Sequence, residues 1–138
     1  MNKNPIIVVD DDLDDLDIIK QVFTELKVEN EIIYFDNGFK FLEYMWTTDK
    51  PTFFILCDMN LVIINGLELK RKIYEDSRLR LKCVPFILSS TMKASSAIME
   101  AYSFGVQGYF VKPNNIKEYT DMIHAMIIYW SYSQHPNS

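Results

Sequence analysis

The sequence has 138 residues, of which 49% are hydrophobic and 24% are charged, and its formal net charge is −5 at pH 7. This balance is typical of one compact domain and excludes a disordered chain. The acidic charge, without a clustered basic stripe, argues against a nucleic-acid partner. No apolar run reaches the roughly 20 residues that cross a bilayer, and the first residues lack an apolar signal region, so we expect a cytoplasmic protein.

Short apolar runs alternate with amphipathic stretches along the chain, which predicts a parallel α/β sheet. Five strands are predicted, at residues 6–9, 31–35, 53–57, 84–88 and 108–111. Five helices are predicted, at residues 13–26, 39–45, 67–74, 94–104 and 116–132, with a loop at 78–82. We interpret residues 1–138 as a single domain with a core at about 5–130 and a C-terminal tail at 131–138.

Polar side chains follow four of the predicted strands. They are Asp10, Asp11 and Asp12 after the first strand, Asp58 after the third, Ser89, Ser90 and Thr91 after the fourth, and Lys112 and Pro113 after the fifth. Ligands of such sheets bind outside the carboxyl ends of the strands. Carboxylates from two strands repel each other unless a cation neutralises them, and Mg²⁺ prefers oxygen ligands. The pattern predicts a magnesium site for phosphoryl transfer, with Asp58 as nucleophile and Lys112 and Ser90 binding the phosphoryl oxygens.

Each of these groups alone also has a purely structural explanation. An aspartate run caps helices, a serine and threonine cluster forms turns, and a lysine before proline lies in surface turns. The basic residues between Lys70 and Lys82 are interpreted as a solvated helix and loop. Cys57 and Cys83 lie in apolar runs, where reduced, buried thiols are expected. The ordered set of polar groups at four strand ends is what favours a site.

Several segments carry a family resemblance, at residues 8–12, 55–60, 65–68, 84–90 and 105–113. In order and spacing they resemble the receiver domain of two-component response regulators, the CheY-like proteins, over about residues 5–130. The resemblance implies a doubly wound, flavodoxin-like sheet of five parallel strands in the order 2-1-3-4-5, with five helices. Two positions depart from the family: Val62 stands where many receivers have proline, and Asn65 replaces the commoner aspartate before Gly66.

The resemblance also implies the role of each acidic residue. Asp58 would accept a phosphoryl group from a sensor histidine kinase or a histidine phosphotransfer protein. Asp11, Asp58 and the backbone carbonyl of Asn60 would bind Mg²⁺ directly, and Asp10 would act through bound water.

The remaining implied roles concern the switch. Lys112 would pair with a phosphoryl oxygen, while Ser90 and Tyr109 would move when Asp58 is phosphorylated. The peptide bond between Lys112 and Pro113 is expected to be cis. The chain would be a stand-alone, phosphorylation-switched signalling protein and not an enzyme, apart from Mg²⁺-dependent phosphorylation and dephosphorylation of itself.

The C-terminal end carries more aromatic surface than a final helix needs. The apolar residues there are Ile127, Ile128, Tyr129, Trp130 and Tyr132. Core packing explains them, and so does an interaction surface. Single-domain regulators associated with bacteriophytochromes are similar at this end, which suggests a phosphorylation-sensitive homodimer. Without a DNA-binding domain, output would pass through contacts with a downstream protein.

Two other functions fit parts of the sequence. Residues 58–62 resemble the nucleophile loop of haloacid-dehalogenase phosphatases, but Asn60 cannot serve as the general acid and base that those enzymes need. A receiver that binds partners without being phosphorylated is the second alternative, although all the groups for phosphorylation are present. The kinase, the stimulus, the target and the lifetime of the phosphorylated state stay open.

Overall fold

A computed structural model describes residues 2–82 and 84–136. Five parallel strands form one sheet in the order β2-β1-β3-β4-β5, which confirms the predicted fold class. The strands are β1 Ile6–Val9, β2 Ile32–Phe35, β3 Ile55–Asp58, β4 Phe86–Ser90 and β5 Gly108–Val111. Both β3 and β4 therefore begin and end later than predicted, so that Asp58 and Ser90 are the last residues of their strands.

The described residues form six helices, one more than the sequence predicts. They are α1 Leu13–Glu25, α2 Gly38–Thr47, α3 Gly66–Glu75, α4 Ser77–Arg80, α5 Ser95–Ser103 and α6 Ile116–Tyr132. The extra helix, α4, occupies most of the predicted loop at 78–82. It forms because the Asp76 side chain accepts a hydrogen bond from Leu79 N at 3.1 Å, and because the Leu79 side chain is buried. The prediction of five helices was wrong on this point.

The two faces of the sheet bury separate hydrophobic clusters. Alternate residues of β1 point to opposite faces: Ile6 and Val8 pack with α1 and α6, whereas Ile7 and Val9 pack with the helices α2 to α5. This arrangement covers the sheet on both sides, which is why every residue of β1, β3 and β4 is buried. The polar residues of these three strands, Asp58, Ser89 and Ser90, lie at the carboxyl ends of β3 and β4.

Two lysines depart from the solvated helix and loop predicted for residues 70–82. Lys70 is only 7% exposed because it faces the sheet from α3, beside Leu69 and Ile73. Lys82 Nζ donates to the backbone oxygens of Met45 at 2.6 Å and Thr48 at 3.0 Å, and so satisfies the last carbonyls of α2. The prediction of a solvated helix and loop was therefore wrong for Lys70 and holds only in part for Lys82.

Residues after α6 turn back against the sheet. The His135 ring lies 6.0 Å from the ring of Phe53 and 6.3 Å from that of Trp130, measured between centroids. In the described part of the chain no helix is long and apolar enough to span a membrane. Cys57 is buried, as predicted, whereas the prediction for Cys83 falls outside the described residues.

Candidate functional site

The register of the sheet brings the predicted site residues to one edge. Asp58 is paired with Ser89 in β4, and Ser90 is paired with Val111 in β5. Asp10 follows β1 and Lys112 follows β5 directly, so all of these side chains leave the sheet at its carboxyl edge. Parallel pairing alone therefore collects groups that are far apart along the sequence.

Lys112 lies at the centre of a group of carboxylates. Its Nζ is 2.5 Å from Asp15 Oδ2, 3.2 Å from Asp58 Oδ2 and 3.5 Å from Asp10 Oδ2. We call these four residues the acidic pocket. Burial by itself would lower the pKa of Lys112, but the hydrogen bond to Asp15 and the charges of the three carboxylates outweigh it, so the net pKa is raised. Lys112 is accordingly held as a cation.

The peptide bond before Pro113 is trans, because no cis peptide bond occurs in residues 2–82 or 84–136. The predicted cis bond was wrong. With this trans peptide bond Lys112 still reaches the three carboxylates. Its amide N–H donates to Ser90 O at 2.8 Å, which fixes the backbone from which the side chain extends.

Asp10 is the most buried carboxylate of the acidic pocket, with 2% of its surface exposed. Burial raises the pKa of Asp10 to about 7, against the lowering effects of the hydrogen bond from Asp12 N and of the Lys112 charge. Asp12, the next residue but one, caps α1 by accepting hydrogen bonds from Asp14 N and Asp15 N. The aspartate run thus serves both interpretations, since Asp12 is a helix cap and Asp10 is a pocket residue.

Asp15 belongs to the acidic pocket, and the sequence analysis missed it. Asp15 stands in the first turn of α1, where the helix dipole alone explains an aspartate. The sequence does hold a signal for Asp15, which is its position just after the Asp12 cap. This cap begins α1 so that the first turn of the helix lies over the same edge of the sheet as Asp10. Carboxylate oxygens of Asp10, Asp15 and Asp58 all lie within 4.8 Å of one another. Three such oxygens are ligands of the type that a hard divalent cation prefers.

Asp11 is tied to the loop between β3 and α3. Its Oδ2 accepts a hydrogen bond from Val62 N at 3.0 Å. A proline at position 62, which many receivers have, could not donate this bond, so the departure at Val62 has a structural consequence. Asn65 caps α3 reciprocally with Glu68, a role that the commoner aspartate could also fill, so the second departure keeps the helix cap. Direct metal binding by Asp11 stays a prediction.

The backbone around Asp58 is fixed by close packing. Asp58 Oδ1 accepts a hydrogen bond from Asn60 N at 3.0 Å, which orients the carboxylate. A Cβ atom at Gly66 would lie 2.8 Å from Asp58 O and 2.6 Å from a methyl carbon of Leu88, so only glycine fits there. The tight approach of α3 holds the loop that carries the Asn60 carbonyl close to Asp58.

Ser90 and Tyr109 are linked through one residue, Met92. Ser90 is fully buried, and its Oγ accepts a hydrogen bond from Met92 N at 3.0 Å. The half-buried Tyr109 donates its hydroxyl to Met92 O at 2.8 Å. Any movement of Ser90 toward Asp58 would therefore disturb the loop after β4 and the Tyr109 ring together.

Comparison with known proteins agrees with this geometry. The response regulator receiver domain family matches residues 6–124. The chemotaxis protein CheY1 of Helicobacter pylori is 31% identical over 108 residues, which span 78% of this chain and 84% of that protein. The phosphorylated cyanobacterial phytochrome response regulator RcpA has a TM-score of 0.84 at 21% identity, covering 98% of this chain and 99% of its own. For the Mn²⁺-bound form of response regulator Rcp1 the TM-score is 0.82 at 21% identity, with 96% and 99% covered. This chain belongs to the response regulator receiver domain family.

Proposed function

We propose that this chain is a response regulator that accepts a phosphoryl group on Asp58. The donor would be a phosphohistidine on a sensor histidine kinase or on a histidine phosphotransfer protein. The observation that carries the proposal is the position of Lys112 Nζ, 3.2 Å from Asp58 Oδ2, in a pocket that also holds two further carboxylates. A cation fixed beside a reactive carboxylate is what phosphoryl transfer requires.

Asp58 would act as the nucleophile. One of its oxygens would form a bond to phosphorus while the bond from phosphorus to the histidine nitrogen breaks, so that the histidine leaves and an acyl phosphate remains. Lys112 would neutralise charge on the transferred group, and the hydrogen bond from Asn60 N would hold the other oxygen of Asp58 in place. Attack by water on phosphorus would later return the free carboxylate and inorganic phosphate.

A magnesium ion fits the donors of this edge. Asp10 and Asp58 are buried carboxylates, Asp11 lies on the rim, and the backbone carbonyl of Asn60 stands on the loop next to them. Bound Mg²⁺ would supply a positive charge for the phosphoryl oxygens. The ion bound in the similarly folded Rcp1 supports a divalent cation. We propose that Asp11, Asp58 and the Asn60 carbonyl bind the ion directly. Asp10 would bind it through a water molecule.

Phosphorylation of Asp58 would change the structure from Ser90, beside the acidic pocket, to Tyr109 in β5. Phosphorylation would draw the Ser90 hydroxyl away from Met92 N, which would release the contact between Met92 O and the Tyr109 hydroxyl. Tyr109 would then reorient on the face formed by α5, β5 and α6, where a downstream protein could bind. The protein would thus act by changing contacts and would turn over no substrate but its own acyl phosphate.

The same face suggests a homodimer. Ile128, Tyr129 and Tyr132 are 43%, 65% and 85% exposed, whereas Ile127 and Trp130 pack into the core. Light scattering with and without beryllofluoride should show a dimer that the phosphoryl analogue strengthens, and Tyr132→Ser should weaken it. A monomer at every concentration would remove the dimer from the proposal. The cytoplasmic location also stays a proposal, which cell fractionation would test.

The direct test of the proposed function is phosphorylation with a small donor. The chain is incubated with acetyl phosphate and Mg²⁺, and intact mass is measured. We expect a gain of one phosphoryl group that is lost in Asp58→Asn, lost on chelation of the metal, and retained in the exposed control Asp49→Asn. No gain with either acetyl phosphate or a phosphohistidine donor, or a gain that persists in Asp58→Asn, would contradict the proposal.

A further inference from the structure

A second pocket lies at the amino-terminal end of the sheet, opposite the acidic pocket. Its volume is about 510 Å³, within the range of roughly 300–1,000 Å³ that is typical of small-molecule sites. Its walls are formed by the residues that precede β4 and β5, by α3 and α4, and by the segment after α6. The side chains of Tyr74, Trp130 and His135 give it an aromatic lining. We call it the basic cavity, for the reason given next.

The basic cavity contains a buried lysine without a counter-charge. Lys70 is only 7% exposed and lines the cavity. Within residues 2–82 and 84–136, no carboxylate pairs with Lys70 Nζ and no acceptor forms a hydrogen bond with it. None of the residues that line the cavity is acidic, and Arg80 contributes a second cation there. The cavity is therefore positively charged with no internal compensation.

The surroundings hold the Lys70 side chain in place. Its Cε lies 3.8 Å from the position that a Cβ would take at Gly105, so the stem packs against the end of α5. Gly105 has a φ of 81°, in the left-handed region that favours glycine. Arg80 is oriented as well, because its guanidinium donates to Tyr74 O at 3.2 Å and lies over the Tyr74 ring.

An unpaired buried cation has a physical cost that a ligand could remove. Burial lowers the pKa of Lys70, in keeping with the lack of an ion-pair partner for its ammonium among the described residues. A buried charge normally has a partner, since desolvation without one is strongly unfavourable. An anion that enters the cavity would meet Lys70 in a partly desolvated setting, where the attraction between the charges is stronger than in bulk water.

We propose that the basic cavity binds a small organic anion with an aromatic body, in which a carboxylate meets Lys70 and the ring packs among Tyr74, Trp130 and His135. The aromatic side chains select the ring, and the lysine selects the charge. This site is separate from Asp58, so it does not depend on the proposed phosphorylation.

The test compares naphthalene-2-carboxylate with its neutral counterpart, naphthalene-2-carboxamide. Each probe is titrated into the full chain while the indole resonances of Trp130 and Trp46 and the amide resonance of Gly105 are followed by NMR. We expect saturable binding of the carboxylate, with shifts at Trp130 and Gly105 and little change at Trp46, which does not line the cavity. The carboxamide should bind at least tenfold more weakly. Equal affinities for the two probes, or no saturable shift with the carboxylate, would overturn the proposal.

A pair of variants tests the role of Lys70. Lys70→Met keeps the length and the apolar stem of the side chain, and should reduce carboxylate affinity at least tenfold while the carboxamide binds as before. Lys72→Met, an exposed lysine of the same helix, should bind both probes as the wild type does. Wild-type affinity in Lys70→Met would overturn the proposal. If Lys70→Met does not fold, the ratio of the affinities of the carboxylate and the carboxamide for the wild-type chain still tests the proposal.

Discussion

A largely buried lysine lies at each end of the sheet, and the two lysines differ in their charged partners. At the carboxyl edge Lys112 faces three carboxylates, the farthest of them 3.5 Å from its Nζ, and its pKa is raised. At the amino edge Lys70 lines a cavity together with aromatic residues, forms no ion pair with a carboxylate among the described residues, and has a lowered pKa. Both side chains are largely withdrawn from water, so the difference comes from their partners.

The contrast shows how one fold can carry two kinds of binding potential. The acidic pocket has more negative than positive charge, so its net charge favours binding of a cation. The basic cavity has only positively charged side chains, so its net charge favours binding of an anion. In both cases the residual charge is held in a place where water compensates it poorly. Substitutions at the two ends should therefore change stability in opposite directions.

Removing the lysine of the acidic pocket should have the largest effect on stability. In Lys112→Met, without metal and above neutral pH, the free energy of unfolding should fall by about 3–5 kcal/mol, because Asp10 and Asp58 lose their buried counter-charge. Urea denaturation followed by tryptophan fluorescence measures this. The control Lys117→Met breaks an exposed pair with Asp121 and should cost less than about 1 kcal/mol. Equal losses in both variants would show that the pocket carries no net negative charge.

The stability of the metal-free protein should depend on the protonation of Asp10. Its folded pKa of about 7 lies above its ordinary value of 3.8, so between these values the folded state holds a proton that the unfolded state has released. The free energy of unfolding should therefore decrease as pH rises from 4 to 7, by a few kcal/mol, at about 1.4 kcal/mol per unit of pKa shift. Asp10→Asn should flatten this decrease. A slope that is unchanged in Asp10→Asn would contradict the assignment.

Breaking the shortest ion pair of the acidic pocket should have an intermediate effect. Asp15→Asn removes the charge that Lys112 approaches most closely, and should lower the free energy of unfolding by about 1.5–3 kcal/mol, as for a hydrogen bond between charged groups. The variant should still be phosphorylated, because Asp58 is intact. Asp17→Asn changes an exposed residue of the same helix and should stay within about 0.5 kcal/mol of the wild type. A loss of phosphorylation in Asp15→Asn would mean that Asp15 does more than hold Lys112.

The lysine of the basic cavity should respond in the opposite direction. Lys70→Met replaces an unpaired buried cation by an apolar side chain of similar shape, and should raise the free energy of unfolding by about 1 kcal/mol in the absence of a ligand. Lys72→Met should leave it within about 0.5 kcal/mol. If Lys70→Met is destabilising, Lys70 has a compensating partner and the contrast with Lys112 fails.

Pattern and register were enough to predict the sheet and most of the acidic pocket. Parallel strands bring their carboxyl ends together, so Asp58 and Lys112 could be assigned to one edge from the sequence alone. Asp15 could not, because an aspartate in the first turn of a helix is explained equally well by the helix dipole. Lys70 was missed for a related reason: a lysine among other charged residues looks solvated until the rotation of α3 about its axis is known. The short helix α4 depends on one capping bond from Asp76, which is too local a signal to separate from a turn.

The most direct measurement of the central claim is the binding of beryllofluoride, observed by fluorine NMR in the presence of Mg²⁺. In this phosphoryl analogue the fluorines take the place of phosphoryl oxygens, so a divalent cation and the Lys112 ammonium would stabilise it on Asp58. We expect bound resonances for the wild type, their loss in Asp58→Asn, and marked weakening in Lys112→Met. Bound resonances that persist in Asp58→Asn, or their absence from the wild type, would contradict the assignment of Asp58 as the phosphoryl acceptor.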